Sequence, residues 1–117
     1  MRTTFRMEDE NMSMVRGDTV SFGFETLMLG ENDEIVVFDQ DLDSVFFTCK
    51  RNDTDEVNAF QKSLEDGITK VAEGQYVVRI APEDTENMEA GKYHYYFKIN
   101  VNSDTFTLRK GILEIER

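Results

Sequence analysis

Very few side chains in this 117-residue sequence could do chemistry. His94 is the only histidine, the one side-chain type whose ordinary pKa lies near neutrality. To act as a base in acyl transfer it would need a nucleophile, an orienting carboxylate and oxyanion donors, and no motif announces them. Cys49 is the only cysteine; with no helix N-terminus or cation cluster beside it, it reads as a small hydrophobe and not as an activated thiol. One Cys and one His cannot build a four-ligand zinc site. Asp39-x-Asp41-x-Asp43 copies the first half of a calcium loop, which makes these three the calcium candidates. The second half fails, because Ser44 stands at the glycine position and Lys50 at that of the bidentate glutamate. The glycines are isolated, so no phosphate-cradling loop is present. The carboxylates are too numerous to single out an acid and base pair for glycoside chemistry, and the chain has no Trp to stack on a sugar. Arg16-Gly17-Asp18 reads as a turn and not as an adhesion motif. The residues point away from an enzyme, with no cofactor.

The elements that must position these side chains are strands. Tyr76, Val78 and Ile80 alternate with Val77, Arg79 and Ala81, and Tyr93, Tyr95, Phe97, Ile99 and Val101 alternate with His94, Tyr96, Lys98 and Asn100. Alternation of large apolar residues is the pattern of a half-buried strand. It places His94 and Tyr96 on the face opposite Tyr93, Tyr95 and Phe97. Between the two runs, Pro82 stops the first strand, Glu83 to Met88 make an acidic helical turn, and Gly91 supplies a position suited to positive φ. Val20, Phe22 and Phe24 form another strand, with Leu27-Met28-Leu29 next to it and Ile35 to Phe38 a short apolar one. Val45, Phe47 and Cys49 point to one face of a further strand, and Phe46 makes its second face apolar as well. Leu42 plugs the core while the acids around it stay wet. Asp66-Gly67 is a hairpin signal, or part of a three-residue loop with Glu65. Asn102-Ser103-Asp104 is a hairpin loop, Gly111 a bulge or bend, and Leu113 and Ile115 the last inward pair.

Turn signals recur about every 8 to 12 residues, the rhythm of a β-sandwich or barrel. At this length the chain is one domain, expected as a flexible arm over residues 1–11 and a sandwich over 12–117. Twenty-four acids against thirteen bases give a formal charge of −11, which repels phosphate backbones and argues against nucleic acid as a partner. No apolar run is long enough to span a bilayer, and the N-terminal residues show no export signal.

Met14-Val-Arg-Gly-Asp-Thr19, Asp41-Leu-Asp-Ser44 followed by Phe-Phe-Thr-Cys-Lys, Phe60-Gln-Lys-Ser-Leu-x-Asp-Gly67, Tyr76-Val-Val-Arg-Ile-Ala-Pro-Glu-Asp-Thr85, Ala90-Gly-Lys-Tyr93 and Gly111-Ile-Leu-Glu-Ile115 together resemble a known family. It is that of the small immunoglobulin-like β-sandwich proteins of tailed bacteriophages and prophages of Gram-positive gut bacteria, similar to the N-terminal domain of the phage baseplate upper protein. The resemblance covers about residues 12–117 and rests on structural motifs. It implies an immunoglobulin-like antiparallel β-sandwich of about 7–9 strands. Pro82, Asp84, Thr85, Gly91 and Tyr93 match the family's corner between sheets, where a tyrosine locks the crossing. Gly17 and Asp18 match its first turn, and Gly111 and Ile115 its last strand.

The same resemblance implies a non-enzymatic structural module of a tail or baseplate, made in the bacterial cytoplasm and assembled into the virion by docking on other virion proteins or on itself. Family members continue into a long stalk and a receptor-facing region, whereas this sequence ends at Arg117; attachment or an adaptor role is therefore expected and not host-receptor binding. Phe46, His94 and Tyr96 are the candidate interface residues, since aromatics are enriched in interface cores. A ligand-binding module for a wall glycan or calcium on the same fold is the alternative.

Overall fold

The structure, a computed structural model, describes residues 8–29, 32, 34–38 and 41–117, with the backbone alone for Glu8 and Asp9. The alternating stretches become strands: β1 (Glu8–Asp9), β2 (Met12–Val15), β3 (Val20–Glu25), β4 (Leu27–Leu29), β5 (Ile35–Val37), β6 (Ser44–Lys50), β7 (Phe60–Leu64), β8 (Gly67–Ala72), β9 (Gln75–Ile80), β10 (Gly91–Val101) and β11 (Asp104–Glu116). One helical turn, α1 (Pro82–Thr85), lies between β9 and β10.

Two layers face each other. The front layer runs β11-β10-β6-β7, with β1 and β2 both parallel to β11; the back layer runs β8-β9-β3. Among the described residues the layers are continuous only where Ser63 and Leu64 pair in parallel with Gly67 and Ile68. The Asp66-Gly67 turn therefore carries the chain from one sheet to the other and does not close an antiparallel hairpin, with Glu65 at φ +65 and Gly67 at φ +97. This is the immunoglobulin order: β3, β9 and β8 stand where that fold has strands B, E and D, and β6, β10 and β11 where it has C, F and G. All-β architecture follows from the composition, since Val, Ile, Phe and Tyr pack well on a pleated, half-buried surface.

The core between the layers is aromatic. Phe24 of β3 stacks on Phe97 of β10 at 3.8 Å between ring centroids, and Phe22 meets Phe47 of β6 edge-on at 5.4 Å. Phe47 in turn stacks on Tyr95 at 5.5 Å. Val45, Phe47, Cys49, Tyr95, Phe97 and Ile99 are completely buried, so the inward parity expected for β6 and β10 holds along both strands, and Leu42 is buried with them.

Two local expectations shift. Of the arm expected over residues 1–11, residues 1–7 lie outside the described residues, while Glu8 and Asp9 pair with Arg109 and Lys110 and the Glu10 amide donates to the Lys110 carbonyl. The bulge expected at Gly111 falls at Leu108, the residue skipped where Phe97 pairs with Arg109 and Lys98 with Thr107. Gly111 answers to a close approach instead. A Cβ there would run into the Glu10 carbonyl, to which the Tyr95 hydroxyl also donates.

Candidate functional site

The crossing from β9 to β10 is built by the residues expected at the corner. Pro82 opens α1, where a missing N–H costs nothing, and the Asp84 carboxylate accepts the Ala81 amide at 2.7 Å. Asp84 also pairs with Lys62 of β7 at 2.7 Å, tying the crossing to the front layer. The completely buried Thr85 hydroxyl accepts the Gly17 amide at 2.9 Å, and Gly17 sits at φ +84 in the first turn. Gly91 is at φ +141, and two residues later the Tyr93 hydroxyl donates to the Glu89 carbonyl at 2.8 Å. That bond is a tyrosine corner. The residues matched to the corner thus meet in space, and what they do is hold shape.

The three interface candidates share one face, with Tyr96 between Phe46 and His94 in register. Phe46, His94 and Tyr96 all lie on the outer face of the front layer, each half-buried. In register, Phe46 sits beside Lys98, Thr48 beside Tyr96, and Lys50 beside His94; across the other side of β10, Tyr96 faces Lys110 and His94 faces Ile112. Two open grooves flank Tyr96. One, of about 440 Å³, is lined by Thr48, Lys50, Asp53, Asn58, Tyr96 and Lys98. The other, of about 340 Å³, has Asn11, Asp53, His94, Lys110 and Ile112 among its walls.

Sequence reasoning missed the charge of this face. Lys50, Lys92, Lys98 and Lys110 all project from it, leaving only Lys62 and Lys70 elsewhere in a chain of net charge −11. The Lys98 ammonium lies 5.5 Å from the centre of the Tyr96 ring, in cation–π range. The signal was there in the parity of Lys92, His94, Tyr96 and Lys98 along one strand, but Lys50 and Lys110 join them only through pairing. The face is a local cationic and aromatic patch on an acidic protein.

The chemical candidates are not assembled into a centre. Cys49 is fully buried on the inner side of β6, and burial pushes its thiol up to about 12. His94 and Asp53 line the same groove, but no serine, threonine or cysteine shares it with them as a nucleophile. Of the calcium candidates, Asp39 lies outside the described residues. Asp41 is engaged by the Lys70 ammonium at 2.7 Å, whose hydrogen bond and charge hold its carboxyl below the usual value. Asp43 is exposed and its amide donates to the Asn100 carbonyl. Among the described residues no three acidic, histidine or cysteine side chains are grouped as a metal site would require. No described helix is long and apolar enough to cross a membrane. Comparison with protein-family models and with characterised proteins finds no match to this chain.

Proposed function

We propose that this protein is a non-enzymatic assembly module of a bacteriophage or prophage particle, in the tail or baseplate, that works by docking other virion proteins on the outer face of its front layer. The observation that carries the reading is the division of labour within β6 and β10. Their inner residues are spent on a saturated aromatic core, while Phe46, Tyr96 and His94 stand outward among four lysines. Aromatic groups on a rigid sheet, with four lysines around them against Asp53 and Glu114, have the composition of a protein-docking patch, with the lysines selecting an acidic partner and speeding encounter. The resemblance of the corner and strand motifs to phage sandwich proteins supplies the biological setting.

Co-expression tests it. The tagged chain, produced with the tail or baseplate proteins encoded beside it, is expected to retain at least one of them, and Tyr96→Ser with Phe46→Ser is expected to release it. A wild-type chain that retains none, or a folded double variant that retains as much, rejects the reading. The ligand-binding alternative has one foothold, the open grooves beside Tyr96. Saturable heat on titration with wall-glycan fragments would put it first.

A further inference from the structure

The N-terminal arm, residues 8–15, is lightly embedded. It lies along the outer edge of β11 as two short pieces, β1 and β2, both parallel to it. Among residues 10–16 only Met14 is buried and Met12 half-buried; the others are exposed. β11 does not need the arm to keep its place, because it pairs with β10 from Asp104 to Ile115. Detaching the arm withdraws little apolar surface from the core, which puts it at the low end of local stability.

The edge it covers is nonetheless specific for it. The Tyr95 hydroxyl donates to the Glu10 carbonyl, and Gly111 leaves the room that carbonyl needs. The Ile112 amide donates to the Asn11 side-chain oxygen at 3.0 Å, and the Arg109 guanidinium lies 3.5 Å from the Glu10 carboxylate. Further along, Met14 enters the core beside Ile115 and the Arg16 amide donates to the Glu116 carbonyl. An uncovered β11 would deprive Tyr95 and a run of backbone groups of these partners, and a bare edge of that kind pairs with the next matching strand it meets.

Arg16 to Thr19 form the hinge, over which the chain reverses from the front layer to β3 in the back layer. The Gly17 amide is held by the Thr85 hydroxyl, which fixes the hinge on the body of the protein, and the turn is closed by the Asp18 amide on the Val15 carbonyl. A second copy brings the same Glu10, Asn11 and Met14 to the same edge, so every contact between arm and β11 is remade across the pair and only the hinge turn is given up. We propose that the β1–β2 arm is exchanged between two copies of this chain, each seating its arm on β11 of the other. The exchange is reciprocal, so its product is a closed two-fold dimer. Each chain carries a formal charge of −11, and added salt therefore favours the dimer by screening the repulsion between copies. This contact uses the edge of the front layer and is independent of docking on its outer face.

A cysteine pair reads the exchange in the full chain. Ser13 and Glu114 are partners in register, so a disulfide between a Ser13→Cys copy and a Glu114→Cys copy reports an arm lying on another molecule. Incubated together at high concentration and then oxidised, the two variants are expected to give a covalent heterodimer, with more of it in high salt. Ser13→Cys mixed with Thr69→Cys, an exposed position on the back layer, is expected to give only background crosslinking. A single chain carrying both Ser13→Cys and Glu114→Cys locks its own arm in place when oxidised and is expected to stay monomeric. Deleting Gly17 and Asp18 removes the reversal, and that variant is expected to sediment at twice the chain mass. A Ser13→Cys and Glu114→Cys mixture that crosslinks no more than the Thr69→Cys control overturns the proposal, as does a folded deletion variant that stays monomeric. Where the deletion prevents folding, the cysteine mixture decides alone.

Discussion

Tyr95 and Tyr96 are adjacent in β10 and do opposite things. Tyr95 is completely buried, stacked on Phe47, with its hydroxyl given to the Glu10 carbonyl. Tyr96 is half-buried on the outer face with a lysine ammonium near its ring and a groove on each side. The residue type is the same, so parity in the strand decides which tyrosine builds the fold and which is free to meet a partner. The same division runs along the whole strand: Tyr93, Phe97, Ile99 and Val101 inward, Lys92, His94, Lys98 and Asn100 outward. Immunoglobulin domains commonly join the layers at this level with a disulfide; here stacked rings from β3, β6 and β10 occupy the space between them.

The sharpest way to break the contrast is to cut into the inner face. Phe97→Ala removes the ring stacked on Phe24 and leaves a void between the layers. The expected loss is about 3–5 kcal/mol of unfolding free energy, read by urea denaturation. A loss below about 1 kcal/mol would mean that the layers are not held by this stack.

The inner face also sets a pH limit through Cys49. Burial raises its pKa from 9.0 to about 12, so the folded state favours the neutral thiol. That contribution is complete below pH 9 and is lost as pH climbs from 9 towards 12, on the order of a few kcal/mol at the top of the range. Burial shifts the Tyr76 phenol in the same direction and adds to the same alkaline decline. Stability is expected to be insensitive to these two groups between pH 6 and 8. Denaturation midpoints should fall above pH 9, less steeply in Cys49→Val. At pH 8 a chromogenic disulfide reagent is expected to leave the native thiol untouched and to label it once urea has unfolded the chain.

A milder cut tests the corner. Tyr93→Phe keeps the ring in place and removes only the hydroxyl bonded to the Glu89 carbonyl, with an expected cost of about 1 kcal/mol. Thr85→Val should cost as much or more, because it leaves the Gly17 amide without its acceptor. If Tyr93→Phe is neutral, the corner is held by Asp84 and Thr85 without it.

The inner face was legible in the sequence because it depends on neighbours two residues apart: alternation alone located β3, β6, β9 and β10 and the residues they bury. The corner was legible locally through Pro82, the acidic turn and Gly91, whereas the parts of Asp84, Thr85 and Tyr93 in it came from the family resemblance. What was not legible depends on pairing between distant segments. Leu27–Leu29 and Ile35–Val37 read as apolar strands, but only the Thr26 clamp to Gly74 sets them apart as a hairpin outside both layers. Asp41 looked like half of a calcium loop because Lys70, which engages it, is 29 residues away. The Glu8–Asp9 strand read as a loose arm because its partners lie in β11, a hundred residues later. The lysine patch was missed for the same reason.

The smallest expected effect on stability sharpens the contrast most. Tyr96→Ser removes a ring that is only half-buried and leaves no core group unpaired, so the unfolding free energy should move by no more than about 0.5–1 kcal/mol. Replacing Tyr95 in the same way deletes a completely buried ring and strands the Glu10 carbonyl, and is expected to cost several times as much. Capture of a co-expressed tail protein should reverse that order, with Tyr96→Ser losing it while its melting curve stays close to wild type. A Tyr96→Ser chain as destabilised as the Tyr95 variant would make the outer face part of the scaffold, and the separation of structure from docking along β10 would be lost.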